Sequence, residues 1–236
     1  MTLVVPKSKI IPDEVSAGLP TVAVRFPVNK DAQRLIKAAG VPVAAPSANL
    51  SGKPSPTTAQ DVMEDMDGKI AAVLDGGKCA VGLESTVIDT TGAVATILRP
   101  GQITPEMIAK VLGAVELDGV IKGDETAVPK APGMKYRHYA PQAPMYLCKN
   151  TSVMDKNIQQ ALAKNLKVGV IGTQAYSNCV NKIFVSVEDL AYKLFYYLRD
   201  LDRAGVDVIY AETVSEDGLG LAVMNRMRKA AGNQIL

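Results

Sequence analysis

Residues 119–143 divide the chain, because they lack the apolar periodicity that the sequence shows on both sides of them. Before this segment, strand-like and helix-like patterns alternate, and the alternation resumes at Met145. The order of the patterns after Met145 predicts a small parallel sheet with helical connections. We therefore expect an α/β protein with two folded parts, residues 1–118 and residues 144–236, joined by a linker over residues 119–143.

The apolar patterns and the capping residues predict the individual elements of the two parts. In the first part, we expect strands over residues 21–25, 41–45, 70–74, 85–89 and 94–98, a helix over 29–39 with Leu35, Ile36 and Ala39 inward, a helix over 57–66, and a helix that opens at Thr104. In the second part, we expect strands over residues 145–148, 168–171 and 206–211, and helices over 153–164, 187–204 and 219–231.

Charge and composition exclude several classes of function. The chain has 26 Lys and Arg against 24 Asp and Glu, without a concentrated basic run, so the signal for direct nucleic-acid binding is weak. A single histidine, His138, excludes a multi-histidine metal site. Cys79, Cys148 and Cys179 are scattered, so we expect neither a disulfide framework nor a zinc site, and a reducing cytoplasm fits. No apolar stretch approaches about 18 residues, so no membrane segment is predicted.

A polar loop at residues 46–57 separates an apolar segment from a helical pattern. Six of its side chains can form hydrogen bonds or carry charge: Ser47, Asn49, Ser51, Lys53, Ser55 and Thr57. A loop between a strand and a helix start is where α/β proteins place ligands. The alternative is an ordinary solvated turn rich in Ser, Pro and Gly.

Two arginines stand at the ends of predicted strands. Arg25 ends one strand, and Arg99 ends another before a Pro-Gly pair; a cation at a strand end suits a carboxylate or a phosphate. Residues 84–86 place a carboxylate and two hydroxyls where a further strand begins. Each feature has a structural alternative, a surface salt bridge for the arginines and backbone capping for the hydroxyls. Together they predict a pocket for an anion and a nucleotide.

Four motifs in one order resemble a known family, the threonylcarbamoyl-AMP synthases of YrdC type that carry a C-terminal accessory domain. The motifs are PSANLSG at residues 46–52, ESTV at 84–87, ILRPG at 97–101 and PGMKYRHYAP at 132–141. The resemblance implies the C-terminal part of a YrdC-like twisted α/β sheet domain, a long linker, and a small Rossmann-like parallel-sheet domain. It covers nearly the whole chain.

The resemblance also implies a reaction. Family members join L-threonine, bicarbonate and ATP to give threonylcarbamoyl-AMP and pyrophosphate, with Mg²⁺ expected on the phosphates. The product is passed to a tRNA-modifying transferase complex that places the threonylcarbamoyl group on an adenosine beside the anticodon. The implied setting is cytoplasmic, without a membrane partner.

Site residues follow from the matching positions. For ATP, the resemblance implies Thr21, Asn49, Ser55, Thr57, Arg99 and Tyr136; for threonine, it implies Arg25, Ser47 and Ser85. No catalytic residue and no metal ligand is assigned, because positioning and charge stabilisation can carry this reaction. His138 as a general base is less favoured than a packing role.

One departure from the family concerns the start of the chain. Family members have a longer stretch before the strand that corresponds to residues 1–5, so we expect this chain to lack the N-terminal part of the catalytic domain. A sheet without its first strands leaves an open edge and an uncovered core. Two alternatives to an active synthase therefore stay open: an RNA-binding or regulatory module, which the balanced charge disfavours, and an inactive fragment that partners a full-length homologue.

Overall fold

The computed structural model describes residues 1–121 and 139–236, and these residues form two compact units. Of the described residues, the first unit comprises residues 1–47 and 84–121, and the second comprises residues 48–83 and 139–236. The polar loop predicted at residues 46–57 therefore crosses from one unit into the other. The predicted boundaries at residues 118 and 144 follow sequence composition, whereas these units follow spatial contact.

The helices and strands alternate along the described chain. In chain order they are β1 (Thr2–Pro6), α1 (Asp13–Ser16), β2 (Thr21–Arg25), α2 (Lys30–Ala39), α3 (Ala59–Met66), β3 (Val87–Asp89), β4 (Thr96–Arg99), α4 (Pro105–Leu112), β5 (Glu116–Leu117), β6 (Met145–Cys148), α5 (Thr151–Ala163), β7 (Val168–Gly172), β8 (Cys179–Ile183), α6 (Val187–Arg203), β9 (Val208–Glu212) and α7 (Leu219–Ala230).

The first unit is built on a mixed sheet with the strand order β2-β1-β3-β4-β5. The β1 strand pairs antiparallel with β2 and parallel with β3, and β3 pairs antiparallel with β4. Ile88, Ile97 and Ile108 form one buried cluster, in which the inward side of α4 contacts the sheet. Thr104 caps α4 as predicted, and Pro105 begins the helix without losing a backbone bond.

The other side of this unit leaves apolar side chains exposed. Helix α2 has no buried residue, and Leu35, which was predicted to face inward, is 52% exposed. Phe26 and Val28, between β2 and α2, are 81% and 89% exposed. The helix was predicted correctly, but its predicted inward side is not buried: Leu35 and Ala39 are exposed, and Ile36 is only half-buried.

Two predicted strands are absent from the described structure. Residues 41–45 and 70–74 are irregular, with Val41 and Leu74 exposed. An apolar run becomes a strand only where a neighbouring strand accepts its hydrogen bonds, and Pro42 and Pro46 also lack the N–H that a ladder needs.

The second unit contains the parallel sheet that the sequence predicted. Its strand order is β6-β9-β7-β8, with every pairing parallel. The strands expected at 145–148, 168–171 and 206–211 and the three helices are confirmed to within a few residues. Strand β8 was missed, because its mixed sequence, Cys-Val-Asn-Lys-Ile, is only half-buried at the sheet edge.

Helix α6 forms the centre of the second unit. Ser186 caps its first turn by accepting a hydrogen bond from Asp189 N–H. Its inward side carries Leu194, Leu198 and Leu201, which are fully buried against the sheet and α7. The segment 48–83 belongs to the same compact unit.

We expect Leu198→Ala to lower the free energy of unfolding by about 2–5 kcal/mol, because it leaves a cavity in this core. Urea denaturation of the purified chain measures this loss. Val185→Ala is the matched control, since Val185 is 87% exposed just before α6 and its truncation should cost less than about 0.5 kcal/mol. Equal losses for the two variants would contradict the packing described here.

Candidate active site

The strand register of the first unit brings the two predicted arginines into one row of paired residues. Arg25 is paired with Thr2, Thr2 with Val87, and Val87 with Arg99. The row crosses four adjacent strands, at the ends of β2 and β4 and the starts of β1 and β3. The sequence placed each arginine at a strand end, and the antiparallel pairings place both ends at the same edge of the sheet.

Ser85 lies at the centre of this edge. Arg99 donates from Nε and Nη2 to the Ser85 carbonyl oxygen, at 3.1 and 3.0 Å, and from Nη2 to Ser85 Oγ at 3.3 Å. The hydroxyl oxygens of Ser85 and Thr2 are 2.7 Å apart. A β-bulge at Val87/Ile88 adjoins these contacts, and bulges commonly re-aim side chains beside a site. The edge is a polar cluster with a guanidinium held in a fixed orientation.

Glycine is required next to this cluster. A Cβ on Gly101 would lie 2.5 Å from Thr86 N and 2.7 Å from the Glu84 carbonyl oxygen. Thr86 itself is buried and donates its hydroxyl hydrogen to the Ile103 carbonyl oxygen at 2.8 Å. The hydroxyl of Thr86 is therefore structural, whereas that of Ser85 belongs to the polar edge.

Thr21 is not at this edge. It is paired with Pro6 at the opposite end of β2, roughly 13 Å from Arg25 at the rise of an extended strand. Ser47 is exposed and is the last residue of this segment of the first unit. The structure thus brings Arg25, Ser85 and Arg99 to one edge and places Thr21 at the other end of β2. The binding roles of these four residues and of Ser47 stay predictions.

In the second unit, Asn49 is held by its own loop. Its Nδ2 donates to the carbonyl oxygens of Leu50, at 2.8 Å, and Lys53, at 3.3 Å. Its Oδ1 is buried and has no hydrogen-bond partner among the described residues. An oriented amide with an unused acceptor oxygen can receive a hydrogen bond from a ligand.

Thr57 is fixed at the start of α3 by Asp61. Thr57 donates to Asp61 Oδ2 from its backbone N, at 2.9 Å, and from Oγ1, at 3.2 Å. Thr58 and Asp61 form a capping box, in which Thr58 Oγ1 accepts from Asp61 N and Asp61 accepts from Thr58 N. Ser55, also predicted to bind ATP, is buried in the same loop.

The carboxylates of Asp61 and Asp65 are ionised groups in a buried setting. Burial by itself raises the pKa of Asp61, but hydrogen bonds from Thr57 and Arg203 outweigh it and lower the pKa. Burial likewise raises the pKa of Asp65, and hydrogen bonds from Arg199 and Lys53 bring it below its ordinary value. Sequence reasoning missed both carboxylates, although the Thr-x-x-Asp spacing at 58–61 is a capping-box signal.

A cavity of about 330 Å³ adjoins Thr57 in the second unit. Its lining joins Thr57 and Thr58 to side chains of α6 and of the loop after α3: Lys78, Cys79, Tyr192, Lys193, Tyr196 and Tyr197. Lys78 Nζ lies 5.8 Å from the centroid of the Tyr196 ring. The cavity therefore combines hydroxyls, ammonium groups and aromatic rings beside a predicted nucleotide contact.

Most of the predicted linker motif falls outside the described residues. Tyr136, predicted to contact ATP, and His138 are both among residues 122–138 and therefore lie outside them. Tyr139 is buried, with its ring centroid 5.1 Å from that of Phe195 and 5.9 Å from the Arg226 guanidinium carbon. Ala140 N donates to the Gly52 carbonyl oxygen at 2.9 Å, so the end of the motif is tied to the polar loop.

No helix in residues 1–121 or 139–236 has the length and apolarity needed to cross a membrane. The same residues contain no group of three or more His, Cys, Asp or Glu side chains arranged to hold a metal ion.

Comparisons with known proteins agree over the full length of the chain. Residues 103–232 match the family model of the threonylcarbamoyl-AMP synthase C-terminal domain, and residues 1–101 match the Sua5, YciO and YrdC family model, described as telomere recombination. The threonylcarbamoyl-AMP synthase of Pyrococcus abyssi is 48% identical over 244 residues, which cover 100% of this chain and 71% of that protein. The chain belongs to the threonylcarbamoyl-AMP synthase family. The Bacillus subtilis synthase is 41% identical and is covered over 70% of its length.

The structures of this family agree with the fold. A crystal structure of P. abyssi Sua5 complexed with L-threonine superposes with a TM-score of 0.92 at 48% identity, covering 100% of this chain and 71% of that one. The predicted α/β fold and the predicted synthase family are thereby confirmed. The coverage values say how much of each relative is matched, but not whether the unmatched part lies before or after the matched part. They do not support the expectation of a missing N-terminal part, which stays a prediction.

We expect the two lowered pKa values to make stability depend on acid pH. An ionised Asp65 stabilises the fold fully above the ordinary pKa of 3.8, and this contribution is lost as pH falls through the lower folded pKa. Urea midpoints at pH 7, 5 and 3 should therefore fall more steeply for the unsubstituted chain than for Asp65→Asn. Asp67→Asn, an exposed change at the end of α3, should keep the steep fall. Parallel pH profiles for the chain and Asp65→Asn would contradict this assignment.

Proposed function

We propose that this chain joins L-threonine, bicarbonate and ATP to form threonylcarbamoyl-AMP and pyrophosphate. The observation that carries the proposal is the match of the whole chain, at 48% identity, to a threonylcarbamoyl-AMP synthase. The polar edge of the first unit and the oriented Asn49 and Thr57 of the second supply groups that such a reaction uses. We also propose that residues 119–143 form a linker and that the accessory domain begins at residue 144.

The chemistry requires positioning more than a covalent intermediate. The threonine amine takes up carbon dioxide derived from bicarbonate to form a carbamate, with loss of a proton and, overall, of water. A carbamate oxygen then attacks the α-phosphorus of ATP, and pyrophosphate leaves. Binding the reactants in the right geometry and neutralising the developing charge can supply most of the rate enhancement.

Within this reaction, the residues of the polar edge serve threonine and phosphate. We propose that Arg25 pairs with the threonine carboxylate and that Ser85 and Ser47 complete its site. We propose that Arg99, whose guanidinium is fixed against Ser85, contributes positive charge toward ATP. A guanidinium suits this role because its planar donors match carboxylate and phosphate oxygens.

The nucleotide role falls to the polar loop. We propose that Asn49, Ser55 and Thr57 contact ATP, with Thr21 and Tyr136 as further contacts. The buried Oδ1 of Asn49 supports this, because it is an acceptor without a partner among the described residues. Mg²⁺ is proposed to arrive with the ATP phosphates, which suits an ion that keeps phosphate and water ligands.

The product defines the proposed partner and setting. Threonylcarbamoyl-AMP is a mixed anhydride that hydrolyses in water, so it must pass promptly to an acceptor. We propose that a tRNA-modifying transferase complex takes it up, and that this occurs in the cytoplasm.

A second candidate is a chain that acts only with a partner. The observation that favours it is the exposed apolar side of the first unit, where Phe26 and Val28 have no cover among the described residues. In that case the purified chain releases no pyrophosphate until a full-length homologue is added. Release by the chain alone contradicts this candidate.

We expect pyrophosphate release to require L-threonine, bicarbonate and ATP together, measured by a coupled phosphate assay on the purified chain. Arg99→Ala should lower kcat/KM for ATP about 30-fold, because a charge-assisted contact contributes about 2 kcal/mol. Lys110→Ala, an exposed change on α4, should leave the rate unaltered. Pyrophosphate release without threonine would contradict the proposed reaction. Full activity of Arg99→Ala would contradict the proposed role of Arg99.

A further inference from the structure

Asp65 is a buried junction that connects three parts of the second unit. Its carboxylate, which is 1% exposed, accepts from Arg199 Nη2 at 2.6 Å and from Lys53 Nζ at 2.9 Å. Its Oδ2 also accepts from the backbone N of Leu50 at 3.4 Å. One carboxylate on α3 therefore holds both the polar loop and a side chain of α6.

Arg199 completes the enclosure of the loop. Its side chain is 5% exposed, and its Nε donates to the Pro54 carbonyl oxygen at 3.1 Å. The guanidinium thus binds the backbone of the loop directly at Pro54 and, through Asp65, the backbone N of Leu50 and the side-chain ammonium of Lys53. Residues 50–54 are fastened at both ends by one arginine that is about 145 residues away in sequence.

These fastened residues are the ones that orient Asn49. The Asn49 amide donates to the carbonyl oxygens of Leu50 and Lys53, so its direction follows the path of the loop. Releasing Leu50 and Lys53 would free that amide to rotate. The contacts therefore form one continuous path from α6 through Asp65 to Asn49.

A second arginine of α6 does the same for Thr57. Arg203 lies one helical turn after Arg199 and donates from Nη2 to Asp61 and to Glu64. Asp61 in turn accepts from the backbone N and Oγ1 of Thr57. The two arginines thus reach the two ends of the polar loop through two carboxylates of α3.

We infer that Arg199 and Arg203 are positioning residues for the polar loop, so that α6 of the accessory domain sets the geometry of Asn49 and Thr57. The inference rests on the proposed nucleotide roles of those two residues. Arg199 and Arg203 fall within the residues that match the C-terminal domain family model, whereas the loop falls within the other match. The accessory domain therefore helps to hold the polar loop in position.

A gain in the stability of the fold does not by itself explain these buried ion pairs. Burying charges costs solvation free energy that their attraction only partly returns, and apolar side chains of similar volume often replace a buried ion pair without loss of stability. Apolar side chains cannot form the directional hydrogen bonds that fix the positions of backbone C=O and N–H groups. Positioning and stability can therefore be separated by experiment.

The test compares Arg199→Met with Arg199→Lys and with Arg228→Met in the full chain. Arg228 is the matched control, because it lies on α7 and its guanidinium pairs with Glu216, just before that helix, rather than with the polar loop. We expect Arg199→Met to raise KM for ATP about ten-fold with a smaller change in KM for L-threonine. It should also speed amide hydrogen exchange over residues 49–57 about ten-fold. Arg199→Lys should recover part of both effects, since an ammonium can pair with Asp65 but cannot supply the planar fork.

Unchanged ATP kinetics and unchanged exchange in a folded Arg199→Met would overturn the inference. If that variant fails to fold, the double variant Asp65→Leu with Arg199→Met, which removes both charges, serves in its place. Asn49→Ala separates this inference from the proposed function. If Asn49→Ala retains normal KM for ATP, the nucleotide role of Asn49 fails; if Asn49→Ala loses ATP binding and Arg199→Met does not, only the positioning role fails.

Discussion

The ion pair between Asp65 and Arg199 is the contact on which the polar loop depends. Both side chains are nearly inaccessible to water, and the hydrogen bonds that the carboxylate forms with described residues go to α6 and to the loop. A buried carboxylate must satisfy its charge, so the loop has little freedom to adopt another path. The constraint converts a segment rich in Ser, Pro and Gly, which by composition could be a solvated turn, into a defined arrangement around Asn49.

In the first unit, strand register has the corresponding role. Arg25 and Arg99 end two strands that run opposite to β1 and β3, and pairing brings both to one row with Thr2 and Val87. Ser85 lies at this row because the chain enters β3 there. Hydrogen bonding along a sheet, which is indifferent to side-chain identity, thus assembles cationic and hydroxyl groups that are far apart in sequence.

The sequence was a good guide where local signals and tertiary packing agree. The parallel sheet of the second unit, the cap at Thr104 and the arginines at strand ends all follow from periodicity, capping chemistry and chain-breaking residues. It failed for residues 41–45 and 70–74, which are apolar but pair with no strand among the described residues, and for α2, in which no residue is fully buried. The apolarity of a side chain shows that its burial is favourable, but it does not show which neighbouring element will bury it.

The sequence by itself determined the family, the fold class and the residue types of the candidate site, because these depend on motifs and local pattern. It could not show that Asp61 and Asp65 fasten the loop, or that Arg199 and Arg203 hold those carboxylates, since no local rule connects residues more than 130 positions apart. Only the tertiary structure decided those partners. The reason is that a buried charge selects its counter-charge by proximity in the folded chain, and proximity is a property of packing.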